Sequence, residues 1–292
     1  MAVPTPPSLA NIVAEGLKKA SITSPVAALT TRAQDYWMEE VKNDILVLSG
    51  GRKLSSLYTT STTPSVNGKD RYACPSDYFS DLSLEILDGN TRGTATAGAV
   101  GSITLEKDEG DIVGSQIFIL SGTGVGSMSQ ITAFNSATFV ASVTPNFTTA
   151  PGNGSGYLIV DRNIVLNEKP LHHMQSNERG IPREFYPTGS PTYGEFILFP
   201  TPYNSDGDLY GILMRYYANL MTLDLAGTLM ATLYQRWRNV WVQYIYAKAL
   251  DEKSDSKAEI EMKRYNMMVH SLIMRETYGM DMSNLTMRIT DY

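Results

Sequence analysis

Residues 229–272 read LMATLYQRWRNVWVQYIYAKALDEKSDSKAEIEMKRYNMMVHSL. Leu229, Leu233, Trp237, Val240, Tyr244 and Ala247 recur at three- and four-residue steps, with Trp241 at the edge of the same stripe. That spacing predicts one long helix with a single apolar face. The charged run Asp251–Asp255 interrupts it. Ala258, Met262, Tyr265, Val269 and Leu272 then mark the face of a second helix, closed by Tyr278-Gly279. Two helices joined by so short a link predict an antiparallel helical hairpin.

The N-terminal end carries the same helical texture. Ser8 precedes a stretch from Leu9 to Ala20. Ser24 with Pro25 reads as an N-cap followed by proline at the first helical position. Leu29, Ala33, Trp37, Val41 and Ile45 then repeat every four residues, with Tyr36 and Leu48 beside them, up to the stop at Ser49-Gly50-Gly51. Between these helical ends the pattern changes to period two. Leu57–Thr60, Arg71–Ala73 and the alternating Leu82, Leu84 and Ile86 read as strands, broken by Pro75-Ser76-Asp77. Glu184–Tyr186, Gly194–Phe199 and Leu209–Tyr217 read likewise, the last two as a hairpin around the turn-rich Pro200–Gly207.

Residues 89–162 differ in composition. Gly, Ser and Thr dominate there, and short apolar runs recur between turns, such as Ile112–Leu120 and Met128–Phe134. Several short strands at that spacing predict a small antiparallel barrel or sandwich. The shift begins at Asp88-Gly89-Asn90 and ends near Asp161-Arg162, which marks an insertion into a surface loop. The expected fold class is therefore α+β. It combines a helical bundle and small antiparallel sheet over 1–88 and 163–278 with an inserted β-barrel or sandwich-like domain over 89–162. A C-terminal arm follows over 279–292. The helical core is expected at Trp37, Val41, Leu233, Trp237, Tyr244 and Tyr265.

Composition narrows the function. Apolar residues make up 42% and charged residues only 18%, with 17 Tyr and 14 Met, a balance typical of surfaces covered by another chain. The net charge of −6 lacks the basic face that tight phosphate binding needs. One cysteine, Cys74, excludes a disulfide framework and a thiolate metal site, and reads as a small buried hydrophobe. The N-terminus has no signal-peptide pattern, and no apolar run approaches the roughly 20 residues of a membrane helix. A soluble protein made in a cytoplasm is expected.

Candidate chemistry reads as structure. Ser121-Gly122-Thr123-Gly124-Val125-Gly126-Ser127 lacks the lysine of a phosphate loop and precedes a strand, so a hairpin turn is expected. His172 and His173 are adjacent, not spaced to share an ion, and a third ligand would have to come from distant His270. Glu106, Asp108, Glu109 and Asp111, like Asp251, Glu252 and Asp255, read as solvated turns. Gly152–Gly156 has the shape of a nucleophile elbow without an assignable base. No catalytic residue, metal or cofactor is assigned.

A series of short motifs adds a resemblance. Tyr36-Trp37 leads to Tyr72-Ala73-Cys74-Pro75-Ser76-Asp77-Tyr78, then Phe199-Pro200-Thr201-Pro202, Leu213-Met214-Arg215-Tyr216-Tyr217 and Leu233-Tyr234-Gln235-Arg236-Trp237. In this order they resemble the head-to-tail adaptor (connector) proteins of tailed, particularly short-tailed, bacteriophages, over residues 25–88 and 163–278. The insert resembles small β modules of phage neck and tail proteins. The resemblance implies a structural virion protein of the neck, without enzymatic activity. Its copies would form a ring, usually dodecameric, between the portal protein and the tail nozzle, with double-stranded DNA passing through the lumen without tight binding. It also implies an extended C-terminal segment inserted between portal subunits. The apolar tail matches that segment in position, with Met282, Leu285, Met287, Ile289 and Tyr292 as the docking side chains. A tail-tube or nozzle subunit is an alternative of the same class, and a carbohydrate-binding or depolymerising tail protein one of a different class.

Overall fold

The computed structural model describes residues 7–23, 25–169, 178–188, 194–203 and 209–278. The chain divides into two compact units. One joins both chain ends, 1–58 with 217–292, and the other holds 59–216. The architecture is mixed α+β, with helices at both ends and several antiparallel sheets in the middle.

The first unit is helical. Helix α1 spans Leu9–Lys19, and the Ser8 hydroxyl accepts the Asn11 N–H at its start. Helix α2 (Ala27–Arg32) runs through a π-helical segment, Ala33–Trp37, into α3 (Met38–Ser49). Ala33, Trp37, Val41, Ile45 and Ser49 are all buried at strict four-residue spacing. In a plain α-helix each such step rotates the side chain by about 40°, because four residues exceed the 3.6-residue turn. The wider π turn absorbs part of that drift. Gly50 closes α3 in the left-handed region, at φ 59°.

Three expectations need correction here. Helix α2 begins at Ala27 with Val26 still extended, so Pro25 stands before the helix and not in its first turn. Ser24 lies outside the described residues. Tyr36 and Leu48 face solvent, since the stripe rotates them away from the core that takes Met38 instead. The long helix expected from 229 is two helices, α4 (Thr228–Arg236) and α5 (Arg238–Glu252), because Trp237 leaves helical geometry at φ −110°, ψ 20°.

Helix α5 is the centre of this unit. Its buried residues fall on every side: Val240, Trp241, Val242, Tyr244, Ile245, Ala247 and Leu250 among them. It packs against α1, α3, α4 and α6 (Ala258–Tyr278). Gly16 of α1 sits so close that an added Cβ would lie 2.6 Å from Ile245. Trp237, Leu233, Tyr265, Trp37 and Val41 are also buried, and the Tyr244 and Tyr265 rings meet at 4.7 Å. Two buried polar side chains tie the helices together. The Lys42 ammonium donates to Glu39 and to the Leu223 carbonyl, both at 3.0 Å. Gln243 accepts from Lys19 and donates to Glu261, tying α1 and α6 to α5.

The second unit is built of β-strands. One four-stranded sheet has the order β1 (Tyr58–Pro64), β17 (Gly211–Ala218), β3 (Tyr78–Asp88), β11 (Arg162–Val165). Another has the order β12 (Asn167–Glu168), β14 (Glu184–Thr188), β15 (Glu195–Phe199), β2 (Arg71–Ala73). The expected hairpin between the 194–199 and 209–217 strands does not form, because β15 and β17 belong to different sheets. The proline-rich segment between them is diverted into β16 (Thr201–Pro202), which pairs in parallel with β13 (Arg179–Gly180). The β12–β14 pair is also parallel, so these sheets are not wholly antiparallel.

The third sheet has the order β4 (Thr91–Thr94), β10 (Gly156–Val160), β7 (Gln116–Ile119), β8 (Met128–Asn135), β9 (Val140–Thr144), β6 (Ser102–Thr104), β5 (Ala97–Ala99). Its two outer strands, β4 and β5, are separated in sequence by Ala95 and Thr96 alone. Two residues span under about 10 Å, so the sheet curls until its edges lie close. The inner face buries Ile103, Ile117, Ile119, Ile131, Val143 and Ile159. A second cluster joins Phe118, Leu158 and Val160 to Leu87 of β3 and Leu213 of β17. That cluster explains why Leu87 is buried although it alternates with the core-facing Ile86.

Candidate functional site

The last turn of α6 gathers a dense set of buried polar contacts. Tyr265, Val269 and Leu272 run down its buried face, and the next position on that face is Glu276, only 5% exposed. Its Oε2 accepts from the Ser55 hydroxyl at 2.7 Å, the Ser56 hydroxyl at 2.5 Å and the Ser56 N–H at 2.9 Å. Its Oε1 accepts from the Trp237 indole N–H at 3.3 Å and pairs with Arg236 and Arg275 at 3.5 Å each. Burial pushes this carboxyl up, but the Ser56 and Ser55 hydrogen bonds and the Arg236 charge outweigh it and hold it below the usual carboxylate range. Glu276 thus locks three segments together: the end of α6, the 55–57 turn and the α4–α5 break.

Around this lock the surface is aromatic and basic. A groove is lined by Gly51, Arg52, Lys53, Ser55, Tyr217 and Tyr278. The Arg52 guanidinium lies over the Tyr278 ring, 5.6 Å from its centroid. Tyr217 meets Tyr58 at 5.3 Å. Tyr58 and Tyr278 are about half exposed, at 47% and 52%, and Val47 in the last turn of α3 is 74% exposed. Exposed tyrosine and arginine together match the composition of a protein–protein contact.

The docking residues expected at Met282, Leu285, Met287, Ile289 and Tyr292 lie outside the described residues, as do His172 and His173. His270 is exposed on α6. Ser121–Ser127 joins the antiparallel strands β7 and β8 as a tight turn, with Gly122, Gly124 and Gly126 at positive φ. Of the acidic turns, Glu109 accepts the Tyr157 hydroxyl at 2.7 Å and Glu252 pairs with the exposed Arg32. Among the described residues no group of three or more His, Cys, Asp or Glu could hold a metal ion, and no helix is long and apolar enough to cross a membrane. Cys74 is half-buried, less enclosed than its composition-based reading, and burial with the nearby Glu195 charge pushes its thiol up to about 11.

Two of the motif segments meet in space. The Tyr216 hydroxyl donates to Asp77 at 2.7 Å, and the Tyr78 and Tyr216 rings lie 6.0 Å apart. Tyr72 holds the preceding turn, its hydroxyl accepting the Val66 N–H at 2.8 Å and donating to the Lys69 carbonyl at 3.0 Å. Sequence reasoning missed Glu276 and Lys42. A signal for Glu276 existed, since it continues the 265, 269, 272 stripe with a carboxylate where a core residue is due. No family model matches the chain, and no curated protein matches it.

Proposed function

We propose that this chain is a non-enzymatic assembly subunit, a head-to-tail adaptor of a tailed bacteriophage. Its copies form a ring, dodecameric as in the proteins it resembles, that joins the portal to the tail nozzle and lets double-stranded DNA pass. The single observation that supports this most is the aromatic and basic end of the helical unit. Tyr58, Tyr217, Tyr278 and Arg52 cluster there, at the last turn of α6, which the apolar stretch 280–292 follows in sequence. A rigid lock directly before an apolar segment is the arrangement a docking arm needs, because a fixed anchor reduces the ordering cost on binding.

The strands of 89–162 form an inserted barrel-like module in this reading. Its two ends lie side by side: Asp88 and Arg162 face each other in adjacent antiparallel strands, and the Asn90 N–H donates to Asp161 at 2.8 Å. The experiment is cosedimentation with assembled portal rings. The full chain should pellet with portal, and a chain ending at residue 279 should stay in the supernatant. Equal pelleting of both chains refutes the docking-arm assignment.

A further inference from the structure

A second groove, of about 360 Å³, opens where α4 gives way to α5. The 235–240 segment forms one wall, and Met268, Ser271, Leu272 and Arg275 of α6 form the other. Arg236, Arg238 and Arg275 stand on it, each about half exposed. Among the described residues, two carboxylates answer them. Glu15 pairs with Arg238 at 2.7 Å, and Glu276 serves both Arg236 and Arg275 while its other oxygen is taken by Ser55 and Ser56. Each guanidinium carries five N–H donors in a planar fork, so donors remain for a further acceptor. Val240 and Leu272 supply an apolar floor. All this stands out in a chain of net charge −6.

The geometry points to a docking groove for an acidic segment of a partner protein, one that sets a carboxylate on the arginine rim and an aliphatic side chain on the floor. A nucleic acid strand fits less well. Non-specific strand binding relies on exposed aromatic faces for base stacking, and the one aromatic lining this groove, Trp237, is buried with its indole engaged by Glu276. The inference stands on the groove alone and does not depend on the adaptor reading.

The test uses the full chain in calorimetric titrations with short synthetic peptides of graded Glu and Leu content, with matched Gln/Leu peptides and oligothymidylate as the other probes. The Glu/Leu peptides should bind, more weakly as salt rises. Arg238→Gln should weaken them about fivefold, in the range of a half-exposed ion pair, while Arg238→Lys retains most of the affinity. Ser271→Glu, which brings a like charge to the wall, should abolish binding with the circular dichroism spectrum unchanged. Absence of Glu/Leu peptide binding, equal affinity in Arg238→Gln and Ser271→Glu, or tighter binding of oligothymidylate overturns the proposal.

Discussion

Replacing Glu276 with glutamine keeps the shape of the side chain and removes its charge. The glutamine carbonyl can take over only one of the two oxygen positions. If it faces Ser55 and Ser56, the amide N–H₂ points at the Trp237 indole N–H and the two guanidiniums, donor against donor. Losing the charge at buried hydrogen bonds costs roughly 1.5–3 kcal/mol, and breaking a buried ion pair about 3–5 kcal/mol. Arg236 and Arg275 are half exposed, so water screens much of the second cost. The net destabilisation should be about 3 kcal/mol, or roughly 6–12 °C in Tm. Urea unfolding followed by tryptophan fluorescence reads it directly, since Trp237 touches the site. The pH dependence gives an independent check. A carboxyl held lower in the folded than in the unfolded chain contributes stability above its unfolded pKa, and that contribution is lost as pH falls through the folded value. The wild type should therefore lose stability below the ordinary carboxylate range more steeply than the glutamine variant. A loss under about 0.5 kcal/mol with an unchanged acid limb would refute the idea that Glu276 locks the end of α6.

Other outcomes follow from the same packing. Gly16→Ala should destabilise the helical unit by about 1–3 kcal/mol in urea melts, because the new methyl meets the branched Cβ of Ile245 and outweighs the roughly 1 kcal/mol helix-propensity gain. Trp237→Phe and Trp241→Phe should separate. The first leaves Glu276 short of a donor and should cost about 2–3 kcal/mol, whereas the Trp241 indole N–H is buried with no hydrogen-bond partner among the described residues, so its loss offsets part of the lost packing. Excising 90–160 and joining β3 to β11 through a two-residue hairpin turn should leave a cooperatively folding chain with helical circular dichroism intact. Exposure of Leu87 and Leu213 should lower its stability. An unfolded product would contradict the insertion reading.

Much of the fold is legible in the residue pattern, and the exceptions have physical reasons. Helix α6 and the alternating Leu82, Leu84 and Ile86 follow from periodicity, because one face of each is core and the other is more exposed over that stretch. The α4–α5 break left no mark, since no glycine or proline lies there. It coincides with the tertiary contacts of Trp237 to Glu276 and to the Trp241 ring, which no local window contains. The false hairpin at 194–217 arose because turn-rich composition reports that the chain reverses, not which sheet receives the next strand. Helix α5 is buried on every side, so its amphipathic stripe understated its role as the centre of the bundle. At the site, neither Tyr278 nor Arg52 stood out in the residue pattern as an interface residue, because their meeting around Glu276 depends on contacts between residues more than two hundred positions apart.

The most direct test of the assembly proposal is electron microscopy of the purified chain mixed with portal rings. The account requires closed rings of this protein stacked on the portal, with the helical unit at the contact. Single particles of this chain beside bare portal rings would contradict it.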